Sequence, residues 1–276
     1  DRIAIVDERG RYIPVNDLLL LLYWYLHEVR GMRGPVVRNL ATTHMLDRLA
    51  QALGEECFEV PVGFKHVAEA MKLHGAILGG ESSGGLTIRG HILGKDGILA
   101  AALIVEMLSI TGGTISELLE GVFQRVGRLY MAELNVPATP EMKVLFPRHL
   151  KQHEVTHVGA YPVRGILTID GTKFLLDDDQ WVLLRFSGTE PLLRTFAEAD
   201  SPERAEDKVH RMAFQPFGGG AHKCIGQHFA AMQVRTIFHE LVRTYRWTVP
   251  DGYEMPLDMV ALPVPADGLP VTLERV

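Results

Sequence analysis

The regular alternation of short apolar segments with longer amphipathic ones through the first 127 residues is the feature that most restricts the fold. The longer segments carry helix signals, such as Thr114 and Glu117 in capping-box spacing and Gly127 at the end. Strands that alternate with helices of this length pair mostly in parallel within an α/β layer. The sequence therefore predicts a three-layer α/β domain over residues 1–128. Its expected elements are a hairpin at 3–15, helices capped or opened by Asn16, Thr42 and Thr43, Gly63, Asp96 and Thr114, and strands at 35–40, 57–62 and 76–80.

The pattern changes near residue 128. Pro137 and Pro140 predict a linker and the start of a short helix. Four strand-like segments then follow one another through short turns, which is typical of a small antiparallel sheet. Ser201 and Pro202 signal a further helix. Residues 129–205 are therefore predicted to form a small α+β domain, with strands at 164–170, 172–177, 180–187 and 191–199.

A third region follows at residues 206–276. A glycine-rich loop at 214–224 leads into an amphipathic helix, and the chain from Thr248 is rich in proline. We expect a mostly helical segment with an irregular tail. Because this helix lacks a large partner, we expect it to pack opportunistically or to stay mobile.

Charge and cysteine usage exclude several classes of protein. The net charge of −6 and the pI of about 6.1 argue against a nucleic-acid partner, which needs a basic face. The longest apolar run, residues 18–26, is too short for a membrane span. Two cysteines, Cys57 and Cys224, are too few for a disulfide framework and favour a cytoplasmic location. Because the chain starts at Asp1 without a signal peptide, we expect a fragment whose upstream part is missing.

One candidate binding site is the glycine-rich segment 79–85, here called the Glu81 loop. Its glycines let a ligand approach the backbone closely. Glu81 stands beside the hydroxyls of Ser82 and Ser83, and a carboxylate can accept hydrogen bonds from two adjacent sugar hydroxyls. Lys65, in the first turn of a predicted helix, would favour an anion. The alternatives are a plain flexible turn and a lysine that is simply solvated.

A second candidate site is the segment 185–191, here called the Ser187 loop. It combines a guanidinium, two hydroxyls and backbone N–H groups, which together suit a phosphate. Arg194 follows on the next predicted strand. The alternative is a hairpin turn in which a strand arginine pairs with Glu190. The phosphate-binding groups would belong to Arg185, Ser187, Gly188 and Thr189.

Both loops lie in segments that resemble the C-terminal half of the α-D-phosphohexomutases, the phosphoglucomutase/phosphomannomutase family. The resemblance covers residues 1 to about 205, in the family's order and spacing. It implies the fold of the family's domains three and four, and a hexose phosphate as substrate. The matching segments are DRIAIVDERGRYIP, PVVRNLATTHMLDR, PVGFKHVAEAM, GGESSGG, GHILGKDGILAA and RFSGTEPLLR.

The resemblance also implies roles for single residues. Glu81 and Ser83 would contact sugar hydroxyls, and Lys65 would contact the substrate. Ser82 replaces a second glutamate that is common in related sequences. The loop for the non-reacting phosphate would comprise Arg185, Ser187, Gly188 and Thr189, joined by Arg194. The family pattern GH-x-x-x-KDG, to which we assign no role from sequence, is matched by His91, Lys95 and Asp96.

The chain departs from the family at the catalytic residues. Family members use a phosphoserine and a magnesium ion held by an Asp-Gly-Asp-x-Asp-Arg loop, of which Asp1 and Arg2 match only the end. Asp1 is a weak remnant of that metal site, because magnesium needs several oxygen ligands. We expect that magnesium is not held here and that the family's N-terminal domains are missing partners. We also expect no mutase turnover by this chain alone.

A third motif lies in the last region. A cysteine at a helix N-terminus readily forms a thiolate, and thiolate is an axial ligand of haem iron. Residues from about 201 to 276, with F-x-x-G-x-x-x-C-x-G at 217–226, resemble the haem-binding end of the cytochrome P-450 monooxygenases. This resemblance implies that Cys224 ligates iron, that His222 contacts a haem propionate and that Phe217 packs beside the thiolate.

The rest of a haem pocket is not recognisable in the sequence. Glu240 and Arg243 have the spacing of a family motif but follow Cys224, so we expect a surface pair. A haem needs pocket walls as well as a ligand, and the alternative is a free thiol without haem.

Residues 201–206 fit both families, so the two resemblances cross over within one short segment. We therefore expect a chimera of two fragments. Three functions follow from the sequence: a sugar-phosphate-binding half of a phosphohexomutase, a haem-thiolate protein or monooxygenase fragment, and a folded chimera without activity.

Overall fold

The computed structural model describes residues 1–152, 155–188, 190–213, 227–253, 257–258, 264–265 and 270–275. The chain forms two compact units, Asp1–Gln215 and Pro216–Val276. Four candidate residues lie outside the described residues, namely Thr189, Phe217, His222 and Cys224.

The N-terminal part of the first unit is the predicted α/β layer. Its elements are β1 Ile5–Val6, β2 Tyr12–Ile13, α1 Val15–Trp24 continued by a π-helical turn Tyr25–Val29, β3 Val36–Asn39, α2 Met45–Leu53, β4 Cys57–Val60, α3 Phe64–His74, β5 Leu78–Gly80, β6 Leu86–Ile88, α4 Gly97–Thr111 and α5 Ile115–Val126. β1 and β2 form an antiparallel hairpin. The four-stranded sheet has the order β4-β3-β5-β6; β3 pairs in parallel with β4 and β5, and β6 is antiparallel. The α/β prediction is confirmed.

Two helices of this layer start where their local sequence predicts. The Asp96 carboxylate accepts hydrogen bonds from the Ile98 and Leu99 N–H groups at the start of α4. Thr114 and Glu117 form the expected reciprocal capping box on α5. Each cap satisfies N–H groups that have no partner within the helix, which explains why these starts can be read locally.

One other predicted cap is wrong, and one is confirmed in part. α1 starts after Pro14, and Asn16 lies inside the helix, where its side-chain amide donates to Met131 Sδ at 3.4 Å. α2 starts at Met45, whose N–H donates to the Thr43 hydroxyl at 3.0 Å, whereas the Thr42 hydroxyl donates to Asn39. Proline has its φ fixed near the helical value and needs no donor partner, so it begins α1 earlier than the polar residue suggests.

The leucine run of α1 lies at the centre of the apolar core. All five leucines at positions 18–22 are at most 1% exposed. α1 packs against both α2 and α5. A helix that is apolar on every face is stable in water only where every face is covered. Each buried leucine contributes about 1.5–3 kcal/mol to the free energy of folding, so this run is a large part of what holds the layer together.

The rest of the first unit is the predicted α+β part. Its elements are β7 Tyr130–Pro137, α6 Pro140–Gln152, β8 His157–Val158, β9 Tyr161–Pro162, β10 Gly165–Leu167, β11 Thr172–Leu175, a 3-10 turn Asp177–Asp179, β12 Trp181–Phe186, β13 Leu192–Ala199 and α7 Pro202–Ala213. The sheet is antiparallel throughout, with the order β10-β11-β12-β13-β7. α7 packs on β7 and β13 and buries Ala205 and Val209, as predicted.

The predicted linker before Pro140 is wrong, because residues 130–137 form the edge strand β7. Exposed Glu133 and Asn135 alternate with less exposed Leu134 and Val136 along it. Pro137 is the last residue of this strand, a position where the sheet needs no N–H donor. The strand was not predicted because proline and polar residues are typical of linkers as well as of edge strands.

The described part of the second unit contains α8 Gln227–Thr244, β14 Tyr245–Thr248, β15 Leu257–Asp258, β16 Val264–Pro265 and β17 Thr272–Arg275. β14 pairs with β17, and β15 pairs with β16, both antiparallel. The tail, which was predicted to be irregular, therefore contains two strand pairs. Glu240 and Arg243 lie 3.9 Å apart and are both exposed, as expected of a surface pair.

Within the described ranges, no single helix has the length and apolarity for a membrane crossing. α4 and α5 together have that length and apolar composition, but the two helices are bent by 85° relative to each other.

Candidate functional site

The Glu81 loop is a tight turn between β5 and β6. The Glu81 N–H donates to the Gly85 carbonyl at 2.9 Å, and the Gly84 N–H donates to the Glu81 carbonyl at 3.0 Å. Gly84 has a φ of 100°, and a Cβ on it would lie 2.9 Å from the Ile3 carbonyl oxygen. This position therefore requires glycine, and the turn is more ordered than a plain flexible loop.

The Glu81 side chain is only 3% exposed and is held at both oxygens. Oε1 accepts hydrogen bonds from the Asn39 side-chain amide at 3.1 Å and from the Gly63 N–H at 3.2 Å. Oε2 lies 2.9 Å from Lys95 Nζ. These partners come from the ends of β3 and β4 and from the segment before α4. The carboxylate is therefore fixed where the carboxyl ends of the parallel strands meet.

The other candidate sugar contacts lie around this carboxylate on the surface. Ser83 is exposed, and the Ser82 N–H donates to the Thr42 hydroxyl at 3.1 Å. Lys65 is exposed in the first turn of α3, and its ammonium has no partner among the described residues. Ser83 and Lys65 are thus accessible to a ligand, whereas the Glu81 side chain is almost fully covered by the turn and its neighbours.

The GH-x-x-x-KDG segment, residues 90–97, contacts the Glu81 loop through Lys95. Asp96 caps α4 and also pairs with His91 Nε2 at 2.8 Å. The Leu99 N–H and the His91 side chain hold the pKa of Asp96 below its usual range. Lys95, named from the sequence without a role, and Asn39, not named at all, are the side chains that contact the Glu81 carboxylate. The spacing of the motif gave a signal for Lys95, and nothing in the sequence marked Asn39.

The Ser187 loop presents a second set of polar groups. Ser187 is 4% exposed, and its hydroxyl accepts a hydrogen bond from the Glu190 N–H at 3.2 Å. Lys143 Nζ donates to the Ser187 carbonyl at 2.9 Å. Gly188 is exposed, with open space where a Cβ would stand. The loop is therefore a braced turn with its glycine on the surface.

Both candidate phosphate-binding arginines are paired with carboxylates. Arg185 Nε donates to Asp170 at 2.9 Å. Arg194 donates to Glu190 at 2.6 Å and lies 3.6 Å from Glu133. The alternative of a strand arginine paired with Glu190 therefore describes Arg194. Arg185 and Arg194 lie directly opposite each other on β12 and β13, so both side chains start from the same face of the sheet.

Asp170 connects the Ser187 loop to the segment before α3. Its Oδ2 accepts hydrogen bonds from Arg185 Nε at 2.9 Å and from the Val62 N–H at 3.1 Å. The next residue, Gly63, donates its N–H to Glu81 Oε1. Arg185 and Glu81 are therefore linked indirectly, through Asp170 and residues 62 and 63.

A buried charge cluster ties the antiparallel sheet to the α/β layer. Lys173 on β11 is fully buried, and its Nζ donates to the Leu40 carbonyl at 3.0 Å, to Glu59 at 2.5 Å and to His44 Nε2 at 2.8 Å. Burial, and then the nearby Arg38 charge, lower the pKa of Lys173 to about 8. These contacts join the sheet that carries the Ser187 loop to the layer that carries the Glu81 loop.

The neighbouring carboxylate Glu59 is held charged by its surroundings. Burial alone would raise its pKa, but the hydrogen bond with His44 and the charges of Arg38 and Lys173 hold the pKa below its usual range. Burial raises the pKa of the nearby Cys57 thiol, which fits a core cysteine rather than a reactive one.

Asp1 does not assemble a metal site. It is exposed at the chain start, and the described residues contain no group of three or more His, Cys, Asp or Glu side chains placed to hold an ion. One carboxylate does not fit magnesium, which takes several oxygen ligands. The haem candidates Phe217, His222 and Cys224 lie outside the part of the chain that the structure describes.

Three family models match the chain. The phosphoglucomutase/phosphomannomutase α/β/α domain III model matches residues 14–126, and that family's C-terminal domain model matches residues 133–214. A cytochrome P-450 model matches residues 197–268. The last two matches overlap at 197–214, which includes α7.

Curated relatives and solved structures agree with the first two matches. The chain is 32% identical to a phosphoglucomutase/phosphomannomutase of Thermococcus kodakarensis, over 75% of this chain and 43% of the relative. It is 33% identical to a Pyrococcus abyssi protein named "Probable phosphoglucosamine mutase", over 76% of this chain and 45% of the relative. The chain thus spans less than half the length of these relatives.

A solved phosphoglucomutase/phosphomannomutase family protein from Burkholderia thailandensis has the same fold, with a TM-score of 0.62 at 23% identity over 77% of this chain and 44% of that one. An Aspergillus fumigatus N-acetylphosphoglucosamine mutase, solved in complex with GlcNAc-6P and magnesium, shares the fold at a TM-score of 0.51 and 16% identity, over 77% of this chain and 49% of that one. Residues 14–214 of this chain belong to the phosphoglucomutase/phosphomannomutase family and carry its domains III and IV.

Proposed function

We propose that residues 1–213 bind a hexose phosphate as the sugar- and phosphate-binding half of a phosphohexomutase. The observation that carries this proposal is that two neighbouring residues, Val62 and Gly63, donate to Asp170 and to the buried Glu81 carboxylate respectively, while Asp170 also accepts from Arg185 of the Ser187 loop. A hexose phosphate needs acceptors for adjacent hydroxyls at one end and cations with N–H groups at the other. The two loops supply these chemistries separately.

The sugar end would be bound by the Glu81 loop. A carboxylate accepts hydrogen bonds without donating any, and its two oxygens suit two neighbouring hydroxyls. Ser83 can donate or accept beside it. Lys65, whose ammonium has no partner among the described residues, supplies a positive charge at the helix start.

The phosphate end would be bound by the Ser187 loop. Arg185 and Arg194 would exchange their carboxylate partners for phosphate oxygens, which a guanidinium binds in two-point geometry. The Ser187 hydroxyl and the exposed backbone at Gly188 would complete the loop, together with the Thr189 hydroxyl that the family resemblance assigns to it. Release of Asp170 from Arg185 would then accompany phosphate binding, because one guanidinium edge cannot serve both anions at full strength.

We further propose that this chain binds without turning over. The residues matched to the family supply binding groups, and none is matched to the phosphoserine that carries the phosphoryl group. No step is assigned to magnesium, because Asp1 alone does not fit the ion. Measurable conversion of glucose 1-phosphate by the pure chain would refute this part of the proposal.

Calorimetric titration with glucose 1-phosphate tests the binding proposal. We expect Glu81→Gln to weaken binding about tenfold or more, and Glu69→Gln, an exposed carboxylate on α3, to leave it unchanged. Arg185→Gln should weaken binding similarly, whereas Arg204→Gln, which removes an exposed arginine, should not. Absence of binding by the unaltered, folded chain would overturn the proposal.

A second candidate function is haem binding through Cys224, favoured by the cytochrome P-450 match at 197–268. Against this function, the first part of that match, residues 197–213, forms the end of β13 and all of α7, and α7 packs on the antiparallel sheet. Reconstitution with hemin should give a thiolate-type ferrous–CO band that Cys224→Ala abolishes. A spectrum identical to free haem would exclude this function.

The remaining proposals concern origin and location. A chimera of two fragments, without activity, would account for two family matches that overlap at 197–214. It would show neither glucose 1-phosphate binding nor a haem spectrum. We propose a cytoplasmic location from the low cysteine count. Fractionation of cells that express the chain, with recovery in the membrane or exported fraction, would contradict that location.

A further inference from the structure

Lys95 lies beside the Glu81 carboxylate and has no role in the family resemblance. Its Nζ is 2.9 Å from Glu81 Oε2, and the Glu81 side chain is only 4% exposed there. The two donors on the other oxygen, the Asn39 amide and the Gly63 N–H, are neutral. Lys95 is thus the positive charge in direct contact with this buried carboxylate.

The position of the ammonium is fixed by its surroundings. The Lys95 stem passes over Gly85, where an added Cβ would lie 2.5 Å from Lys95 Cδ. Nζ lies 5.6 Å from the centroid of the Phe64 ring. Gly85 does not have a φ that demands glycine, so its missing side chain serves to make room for the lysine.

We propose that Lys95 is a positioning residue that holds the Glu81 carboxylate through Oε2 in the orientation in which it accepts hydrogen bonds from hexose hydroxyls. This inference rests on the proposed function. A buried carboxylate is costly unless a cation or several donors replace the water it has lost, and Lys95 supplies the cation. Without Lys95, no described side chain fixes Oε2, so the carboxylate can turn away from the sugar.

Other charged groups near the pair do not replace Lys95. His91 and Asp96 of the same segment pair with each other at 2.8 Å. Lys65 on α3 is exposed and makes no described contact with Glu81. Deleting the Lys95 charge therefore leaves Glu81 with neutral donors on one oxygen and none on the other.

The first test compares Lys95→Met, Lys95→Arg and the surface control Lys72→Met in calorimetric titrations of the full chain with glucose 1-phosphate. We expect Lys95→Met to bind about tenfold more weakly than Lys72→Met, because Glu81 loses the cation that fixes Oε2. Lys95→Arg should restore most of the binding, because it replaces the cation. Equal binding by Lys95→Met and Lys72→Met, or no recovery in Lys95→Arg, would overturn the proposal.

A second test displaces Lys95 without altering its charge. Gly85→Ala puts a methyl group into the lysine stem, whereas Gly94→Ala, in the same segment, has open space around its Cβ. We expect Gly85→Ala to weaken glucose 1-phosphate binding in the same way as Lys95→Met, to a smaller degree, and Gly94→Ala to behave like the unaltered chain. Equal behaviour of the two alanine variants would count against a positioning role.

A third measurement separates this inference from the proposed function. Carbon-13 spectra of glutamate-labelled chain at pH 8, with the Glu81 carboxyl signal assigned by Glu81→Gln, report the surroundings of this carboxylate without any sugar. We expect the signal to move in Lys95→Met, to return toward its original position in Lys95→Arg and to stay in place in Lys72→Met. An unmoved signal in Lys95→Met overturns the role of Lys95 even if glucose 1-phosphate binds. Failure of the unaltered chain to bind the sugar overturns the proposed function instead, and a moved signal still supports the effect of Lys95 on Glu81.

Discussion

α7 and α8 are both amphipathic helices, yet their apolar side chains lie in opposite environments. In α7, Ala205 and Val209 are at most 2% exposed, because β7 and β13 lie directly beneath them. In α8, Val234 and Ile237 are more than half exposed. The apolar stripe of a helix therefore contributes to stability only where a sheet or another helix covers it.

The same contrast extends to the two units. The first buries charged groups, among them Arg38 and Lys173, whereas no described side chain of the second unit is buried. Buried ion pairs require a surrounding structure that excludes water and supplies partners. We therefore expect the free energy of unfolding to reside almost entirely in the first unit.

The largest expected effect comes from placing a charge under α7. Val209→Asp would bury an unpaired carboxylate and should lower the free energy of unfolding by about 4 kcal/mol or more. Val234→Asp, the matched change on α8, should cost less than about 0.5 kcal/mol. Urea unfolding followed by circular dichroism measures both. A large loss for Val234→Asp would mean that α8 is covered after all, and the comparison would fail.

The next effect concerns the buried carboxylate of Asp17 on α1. Burial raises its pKa to about 6, and the Arg128 charge, 3.6 Å away, only partly opposes this. The folded chain thus holds the proton more tightly than the unfolded chain, whose Asp titrates near 3.8. The contribution of Asp17 to stability is full below about pH 3.8 and is lost as the pH rises through about 6.

Asp17→Asn should therefore raise the free energy of unfolding at neutral pH, by at most about 3 kcal/mol, and flatten its pH dependence between about pH 4 and 6. Asp251→Asn, an exposed change in the second unit, should alter neither. The measurement is urea unfolding at a series of pH values. Identical pH profiles for the unaltered chain and Asp17→Asn would show that Asp17 is not sequestered from water.

The smallest effect is expected from removing the second unit altogether. A chain ending at residue 213 keeps α7 on its sheet, and its thermal midpoint should stay within about 2 °C of the full chain. Differential scanning calorimetry of the two chains makes the comparison. Loss of a cooperative transition on truncation would show that the last 63 residues are part of the core of the first unit.

Local signals predicted much of the first unit, and they failed where distant residues decide. The Asp96 and Thr114 caps each involve residues within three positions, so the sequence shows them directly. β7 was missed because its pairing with β13 joins segments more than fifty residues apart. The two prolines, Pro137 and Pro140, also predict a linker, although proline is tolerated at the end of an edge strand.

The site shows the same division. The glycines around Glu81 and the serine at 187 mark two loops in the sequence. The hydrogen bond of Asp170 with Val62, which helps to link them, joins residues 108 positions apart. The Asn39 contact with Glu81 likewise spans 42 residues. Such contacts depend on which strands are neighbours, and one sequence alone does not specify that for polar residues.

The burial of Lys173 has a consequence for chemical labelling. An acylating reagent needs an uncharged amine within reach, and burial lowers the pKa of Lys173 to about 8 while keeping Nζ away from water. Exposed lysines such as Lys72 would react at once in mildly alkaline solution. Lys173 would react only while the antiparallel sheet is separated from the α/β layer. The rate at which the acylated fraction of Lys173 grows would therefore report how often the two parts separate.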